Sequence, residues 1–178
     1  MIKLDRPIEL TRFYLRHLTS ADVTEDYLSW FGDATVKKFI EFAKHSRVAE
    51  DLELYIDERN ASKSALFFGI FTIKDDLHIG NIKFEPIDLV LKSAEMGILI
   101  GRKSWRGEGV GPEVILGAGV WLRENLRVQE MTLGVLIENE NAIRAYKKIG
   151  FTIDKTASYD PELHGYRMTL SLAEIGGD

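Results

Sequence analysis

Three glycines alternate with other residues in Arg106-Gly107-Glu108-Gly109-Val110-Gly111, between an apolar run from Met96 to Ile100 and a segment of helical periodicity from Val114 to Leu122. Glycines in alternation let the backbone turn tightly and approach a ligand, so that successive N–H groups converge on an anion at the head of the following helix. The chemistry expected here is recognition of a phosphate-bearing ligand. A nucleoside-triphosphate loop would need a lysine and a hydroxyl after its last glycine, whereas Gly111 is followed by Pro112 and Glu113. A dinucleotide loop would need glycines spaced two and then three, within an early βαβ unit; these are spaced two and two, late in the chain. Taken alone, the segment also fits a strand-to-helix turn without a ligand, so the surrounding elements have to decide.

Phe13 to Leu18 alternates as a first strand. Thr19 to Asp22 supplies capping residues for a helix carrying Val23, Tyr27, Trp30 and Phe31, with Gly32 as its stop. Val36, Phe39 and Ile40 suggest a second short helix, and Val48, Leu52, Tyr55 and Ile56 a third, to about Arg59. Strands follow over Ala65–Ile73 and His78–Glu85, joined by Lys74-Asp75-Asp76 as an antiparallel hairpin, and then over Ala94–Gly101, which feeds the glycine loop. After the loop come a helix to about Asn125, a strand over Glu130–Ile137, a helix from Asn139 to Ile149 stopped by Gly150, and strands near Phe151–Ser158 and Gly165–Leu172. The order predicts a mixed α/β chain of α+β character, whose sheet is neither purely parallel nor purely antiparallel.

With 178 residues, 45% of them hydrophobic, the chain suits one domain over 1–178. A formal charge of −5 argues against affinity built on nucleic-acid phosphates, and no nucleic-acid partner is expected. The absence of cysteine excludes disulfides, thiolate ligands and a cysteine nucleophile. No stretch reads as a signal peptide or membrane span, so a cytoplasmic protein without a membrane partner is expected. His17, His45, His78 and His164 share no metal-ligand spacing, and no metal is expected.

The segments AEMGILIGRKSWRGEGVG and IENENAIRAYKKIGF, in that order and separated by a helix and a strand, resemble the GNAT acyl-CoA N-acyltransferases, in particular the RimJ/RimL-like branch. The resemblance covers nearly the whole chain. It implies a mostly antiparallel central sheet of about seven strands flanked by helices. It implies acetyl-CoA as co-substrate, with its pyrophosphate on Arg106, Gly107, Glu108, Gly109, Val110 and Gly111 and its pantetheine arm paired with the fourth strand around Ile98, Leu99 and Ile100. Glu108 departs from the lysine or arginine of many relatives, which leaves more to the backbone and Arg106. Asn139 would cap its helix and bind the pantetheine arm.

In that family an acetyl group passes directly from the thioester to an amine, so the amine must be neutral and the leaving thiolate protonated. A primary amine of pKa about 10 is charged at pH 7. Glu95 stands where some members carry a base, and it also reads as a solvated or ion-paired strand carboxylate; Tyr146 occupies the position of the acid, and it also reads as a tyrosine packed on its helix. The family's first helices line the acceptor site, which would bring Trp30 to the substrate. His78 either borders that pocket or is an edge histidine with a polar partner. The expected function is N-acetylation of a small-molecule amine such as an amino sugar. A protein N-terminal acetyltransferase of ribosomal-protein type is the alternative. A non-catalytic acyl-CoA sensor is another, against which stands the retained Tyr146. Dimers are common in the family, so a homodimer is one expectation.

Overall fold

The computed structural model of the chain describes residues 6–39, 48–154 and 164–173, with Ile2, Leu4 and Ile175. Alternation makes a strand, β2 (Phe13–His17), with Phe13 and Leu15 buried; ahead of it lies the two-residue β1 (Ile8–Glu9). In place of one helix capped within residues 19–22, two short elements form. Asp22 accepts from the Thr19 N–H at 2.8 Å and closes a 3-10 turn over Ser20–Asp22. Thr24, whose hydroxyl accepts from the Tyr27 N–H at 3.2 Å, then caps α1 (Glu25–Trp30). Helices α2 (Ala34–Phe39) and α3 (Ala49–Ala61) follow; Ile40 and His45 lie outside the described residues.

The expected hairpin is β3 (Leu66–Thr72) with β4 (His78–Asp88), antiparallel, Leu66 opposite Phe84. Strand β5 (Ser93–Ile100) leads through a 3-10 turn at Lys103–Trp105 into α4 (Val110–Leu126). Pro112 sits in the first turn of α4, where no backbone donor is missed. Then come β6 (Glu130–Leu136), α5 (Glu140–Ile149) closed by Gly150 at φ 114°, β7 (Thr152–Ile153) and β8 (Gly165–Ser171). The strand expected over Phe151–Ser158 is seen as β7; residues 155–158 lie outside the described residues.

Among the described residues one sheet forms, of eight strands in the order β1-β2-β3-β4-β5-β6-β8-β7, one more than expected because of β1, with every adjacent pair antiparallel except β5 and β6. That parallel pair joins only Ser93–Glu95 to Glu130–Thr132. Beyond it, β5 stays in register with β4 (Ile98 opposite Ile82) and β6 with β8 (Val135 opposite Tyr166), so the two strands part with their facing edges unpaired. One face of the sheet packs Val114, Ile115, Ala118 and Leu122 of α4 and Ile143 of α5 into the main core; the other packs Tyr27, Trp30, Leu52 and Ile56 from the first helices against Phe67 and Phe71. Strand β5 divides its side chains between the two: Met96 joins the main core, and Leu99 packs against the helical layer. Among the described residues no helix is long and apolar enough to cross a membrane.

Candidate active site

The glycine loop closes the open end of β5. Gly107 and Gly109 hold φ of 84° and 74°, a region that strains other residues, and Gly109 is the N-cap of α4. A Cβ at Gly107 or Gly111 would meet nothing within 4 Å, so the loop is uncovered at both positions. The first N–H groups of α4 lack intrahelical acceptors and carry the positive end of its dipole. Two loop amides are used internally, Arg106 N–H to the Lys103 carbonyl at 3.1 Å and Glu108 N–H to that of Trp105 at 3.4 Å. The Arg106 guanidinium turns back onto the sheet, donating to the carbonyls of Ile100 (2.9 Å) and Gly101 (3.0 Å), with Asp33 at 3.4 Å. The Asp33 carboxyl is held well below the usual carboxylate range, first by Lys103, then by the Thr35 and Val36 amides and the Arg106 charge.

A second brace has no signature in the sequence. Arg12, just before β2, donates to the Glu108 and Gly109 carbonyls at 2.9 and 3.2 Å, and its Nε and backbone N–H reach the two Glu113 oxygens at 2.7 Å each. The loop carbonyls are thereby drawn to one side. Phe13 meets Trp105 edge-on at 5.6 Å and adds apolar contact to the same junction.

Along the open edge, Ile98, Leu99 and Ile100 do not present equivalent groups. The Leu99 carbonyl lies against Gly80 of β4, whereas the Ile100 carbonyl accepts from Arg106. The alternation of an antiparallel ladder then turns the backbone of Ile98 to the edge that β6 has left. Amide groups there need partners, and a linear chain bearing amides of its own fits them by strand addition.

Against this strand lies a pocket of about 220 Å³. Its roof is Tyr27 of α1 with Phe31 just after that helix, Phe39 of α2 and Leu52 and Tyr55 of α3; its floor is Phe67, Asn81 and Lys83 with Gly97, Ile98 and Leu99 of β5. Trp30 and His78 are not in this lining. The Trp30 indole covers Gly101, where any Cβ would strike its ring. His78 stands behind the wall, packed on Tyr27, Trp30 and Phe71 at 4.7–4.8 Å between ring centroids. Its Nε2 faces the Gly80 carbonyl at 3.0 Å and Asn81 Oδ1 at 2.9 Å, two acceptors that call for a protonated nitrogen, and Asn81 in turn donates to the Tyr27 hydroxyl at 2.7 Å. His78 therefore orients the lining through Asn81. Burial pushes the Tyr27 phenol far up and the His78 ring down, the latter against the Asn81 hydrogen bond.

Glu95 closes the last β5–β6 pair, opposite Thr132, at the point where the strands part, on the same side of β5 as Gly97 and Leu99. Its carboxylate lies 3.7 Å from Arg167 and is 39% exposed, so it is ion-paired as well as wet. Asn139 caps α5, its side chain accepting from the Ala142 N–H at 3.3 Å. Tyr146 lies two turns along the same helix face and packs against the main core, 5.7 Å from the Phe151 ring. Burial pushes its phenol up to about 12, so it is a proton donor throughout the neutral range. Among the described residues no group of three His, Cys, Asp or Glu side chains could hold a metal ion.

An opened strand edge, a glycine-capped helix N-terminus and an adjoining amine-sized pocket define an acyltransferase of the GNAT fold. The chain belongs to the GNAT acetyltransferase family: its sequence matches the acetyltransferase (GNAT) domain over residues 12–152. It is therefore an acetyl-CoA-dependent N-acetyltransferase. Spermidine N-acetyltransferase from Vibrio cholerae, solved with CoA and spermine, superposes with a TM-score of 0.79 at 18% identity, over 93% of this chain and 99% of that one. A GNAT-family acetyltransferase from Bacillus anthracis gives 0.77 at 17% identity, over 95% and 100%. At such identities the likeness is one of fold. No curated protein matches the sequence.

Proposed function

We propose that the chain acetylates a small-molecule primary amine such as an amino sugar in the cytoplasm, and that it stands in the RimJ/RimL-like branch of its family. The observation that carries this is the unpaired edge of β5 lying between the glycine loop and an aromatic pocket. A pocket of about 220 Å³ suits a small acceptor better than a protein terminus, and aromatic walls suit the C–H faces of a sugar ring.

Acetyl-CoA would lie with its pyrophosphate at the amides of Gly107 to Gly111, its pantetheine arm along Ile98 and Ile100 and near Asn139, and would supply the activated acyl group. No metal enters this reading. Glu95, on the pocket's face of β5 and 3.7 Å from Arg167, is the group that accepts the amine proton, directly or through water. Tyr146 donates a proton toward the departing sulfur, a role its raised pKa permits. A homodimer belongs to the same reading; the V. cholerae spermidine enzyme has been solved as a dodecamer.

The test is release of free CoA thiol from acetyl-CoA in the presence of a panel of amino sugars, polyamines and peptides, with mass identification of the product. Amine-dependent release with an acetylated small molecule is expected. Turnover confined to peptide N-termini would replace the acceptor assignment, and binding without turnover of any amine would favour a sensor.

A further inference from the structure

Among the described residues lining the aromatic pocket, only one side chain is charged, and it is a cation. Lys83 sits in the middle of β4, opposite Phe67 on one side and Gly97 on the other, in a straight row across the pocket floor. Nothing lies within 4 Å of where a Cβ on Gly97 would stand, so the space beside the lysine stem is open.

The ammonium is held in place. Glu85 accepts from Nζ at 2.9 Å, and the same carboxylate lies 3.4 Å from Arg59 Nε, while the Arg59 guanidinium stacks 3.5 Å over the Tyr55 ring. Glu58, 60% exposed and on the outer side of Arg59, is the other carboxylate of the cluster. Burial works against the Lys83 charge, but the hydrogen bond it donates to Glu85, with help from Tyr55, outweighs it, and its pKa lies above the ordinary lysine value. Lys83 is therefore charged while its side chain is only 29% exposed. An ammonium has three donors, of which Glu85 accepts one, and a ligand's anion can accept from the face turned to Gly97.

We propose that Lys83 makes this pocket selective for an amine that also bears an anionic group, a carboxylate or a phosphate monoester; the inference rests on reading the pocket as the acceptor site. An anion entering beside Gly97 gains a charge-assisted hydrogen bond in a largely apolar pocket, where such bonds are stronger than in water. Among the described lining residues a polyamine meets this like charge and no carboxylate, Glu85, the ion-pair partner of Lys83, lying outside the lining.

The test compares glucosamine with glucosamine 6-phosphate and glucosamine 1-phosphate, amino acid amides with the free amino acids, and spermidine. Binding to the CoA-loaded protein is followed by calorimetry and turnover by thiol release, for wild type, Lys83→Met and Lys83→Arg. The anionic member of a pair should win in affinity or kcat/KM by about tenfold or more, the worth of one charge-assisted hydrogen bond. Lys83→Met should erase that preference chiefly through KM, and Lys83→Arg should restore part of it; whether phosphates or carboxylates lead identifies the anion. Equal use of neutral and anionic members, a preference for spermidine, a preference that survives Lys83→Met, or no binding by any anionic member overturns the inference. The first three leave the acetyltransferase reading intact, whereas failure of the protein to bind CoA would strike that reading instead.

Discussion

Arg12 and Glu113, 101 residues apart, are joined twice, by backbone N–H and by Nε, each at 2.7 Å. The pair ties the start of β2 to the first turn of α4, and the guanidinium reaches past Glu113 to the carbonyls of Glu108 and Gly109. Arg12→Met should loosen the glycine loop and weaken acetyl-CoA binding by about three- to tenfold, in keeping with one or two lost charge-assisted bonds at a partly exposed site. Calorimetric titration of acetyl-CoA checks this; unchanged affinity would show that the loop holds its shape without the brace.

Gly109 has φ 74° at the head of α4. A β-branched residue there is strained by roughly 1–2 kcal/mol and turns the loop amides away from an anion. Gly109→Val should lower acetyl-CoA affinity by more than about tenfold. Circular dichroism should show the helix content retained, and wild-type affinity in a folded variant would defeat the pyrophosphate assignment.

Tyr146→Phe removes one oxygen from a side chain otherwise packed on the core. As loss of a general acid it should lower kcat by about a hundredfold or more, with acetyl-CoA affinity within about twofold. A variant with unaltered kcat would leave Tyr146 a packing residue.

His17, beside Asn60 at 3.0 Å, and His78 both have ring pKa values lowered by burial, against hydrogen bonds that favour the charged form. A depressed histidine pKa means that the unfolded chain binds protons the folded chain refuses. The stability these rings contribute is therefore whole above the ordinary value of about 6.5 and is lost as pH falls below it. Thermal midpoints should drop between about pH 7.5 and 5.5, and His78→Gln, which retains a donor toward Asn81, should drop less steeply. Equal slopes for variant and wild type would remove His78 from this account.

Features fixed by neighbours in sequence were legible before the structure: the alternating glycines, Asn139 as a cap, Gly150 as a stop, and the hairpin between β3 and β4. The parting of β5 and β6 was not, because it arises from competition between partners far apart in the chain. Arg12 precedes a strand with no pattern linking it to Glu113. Lys83 stands at an alternating strand position that reads as a solvated charge until α3 is seen to roof it. Trp30 was expected at the substrate and His78 at the pocket's border or at an edge; the described lining holds neither, because sequence does not separate a pocket's lining from the layer behind it. That choice rests on Gly101, which admits the Trp30 ring, and on Asn81, which stands between His78 and Tyr27.

The central claim is that the open edge of β5 and the glycine loop together seat acetyl-CoA. Amide hydrogen exchange with and without acetyl-CoA tests it most directly, since both segments present backbone N–H groups that only a ligand would engage. The expected result is protection concentrated in Met96–Ile100 and Gly107–Gly111. Protection elsewhere, with those two segments exchanging as fast as in the free protein, would contradict it.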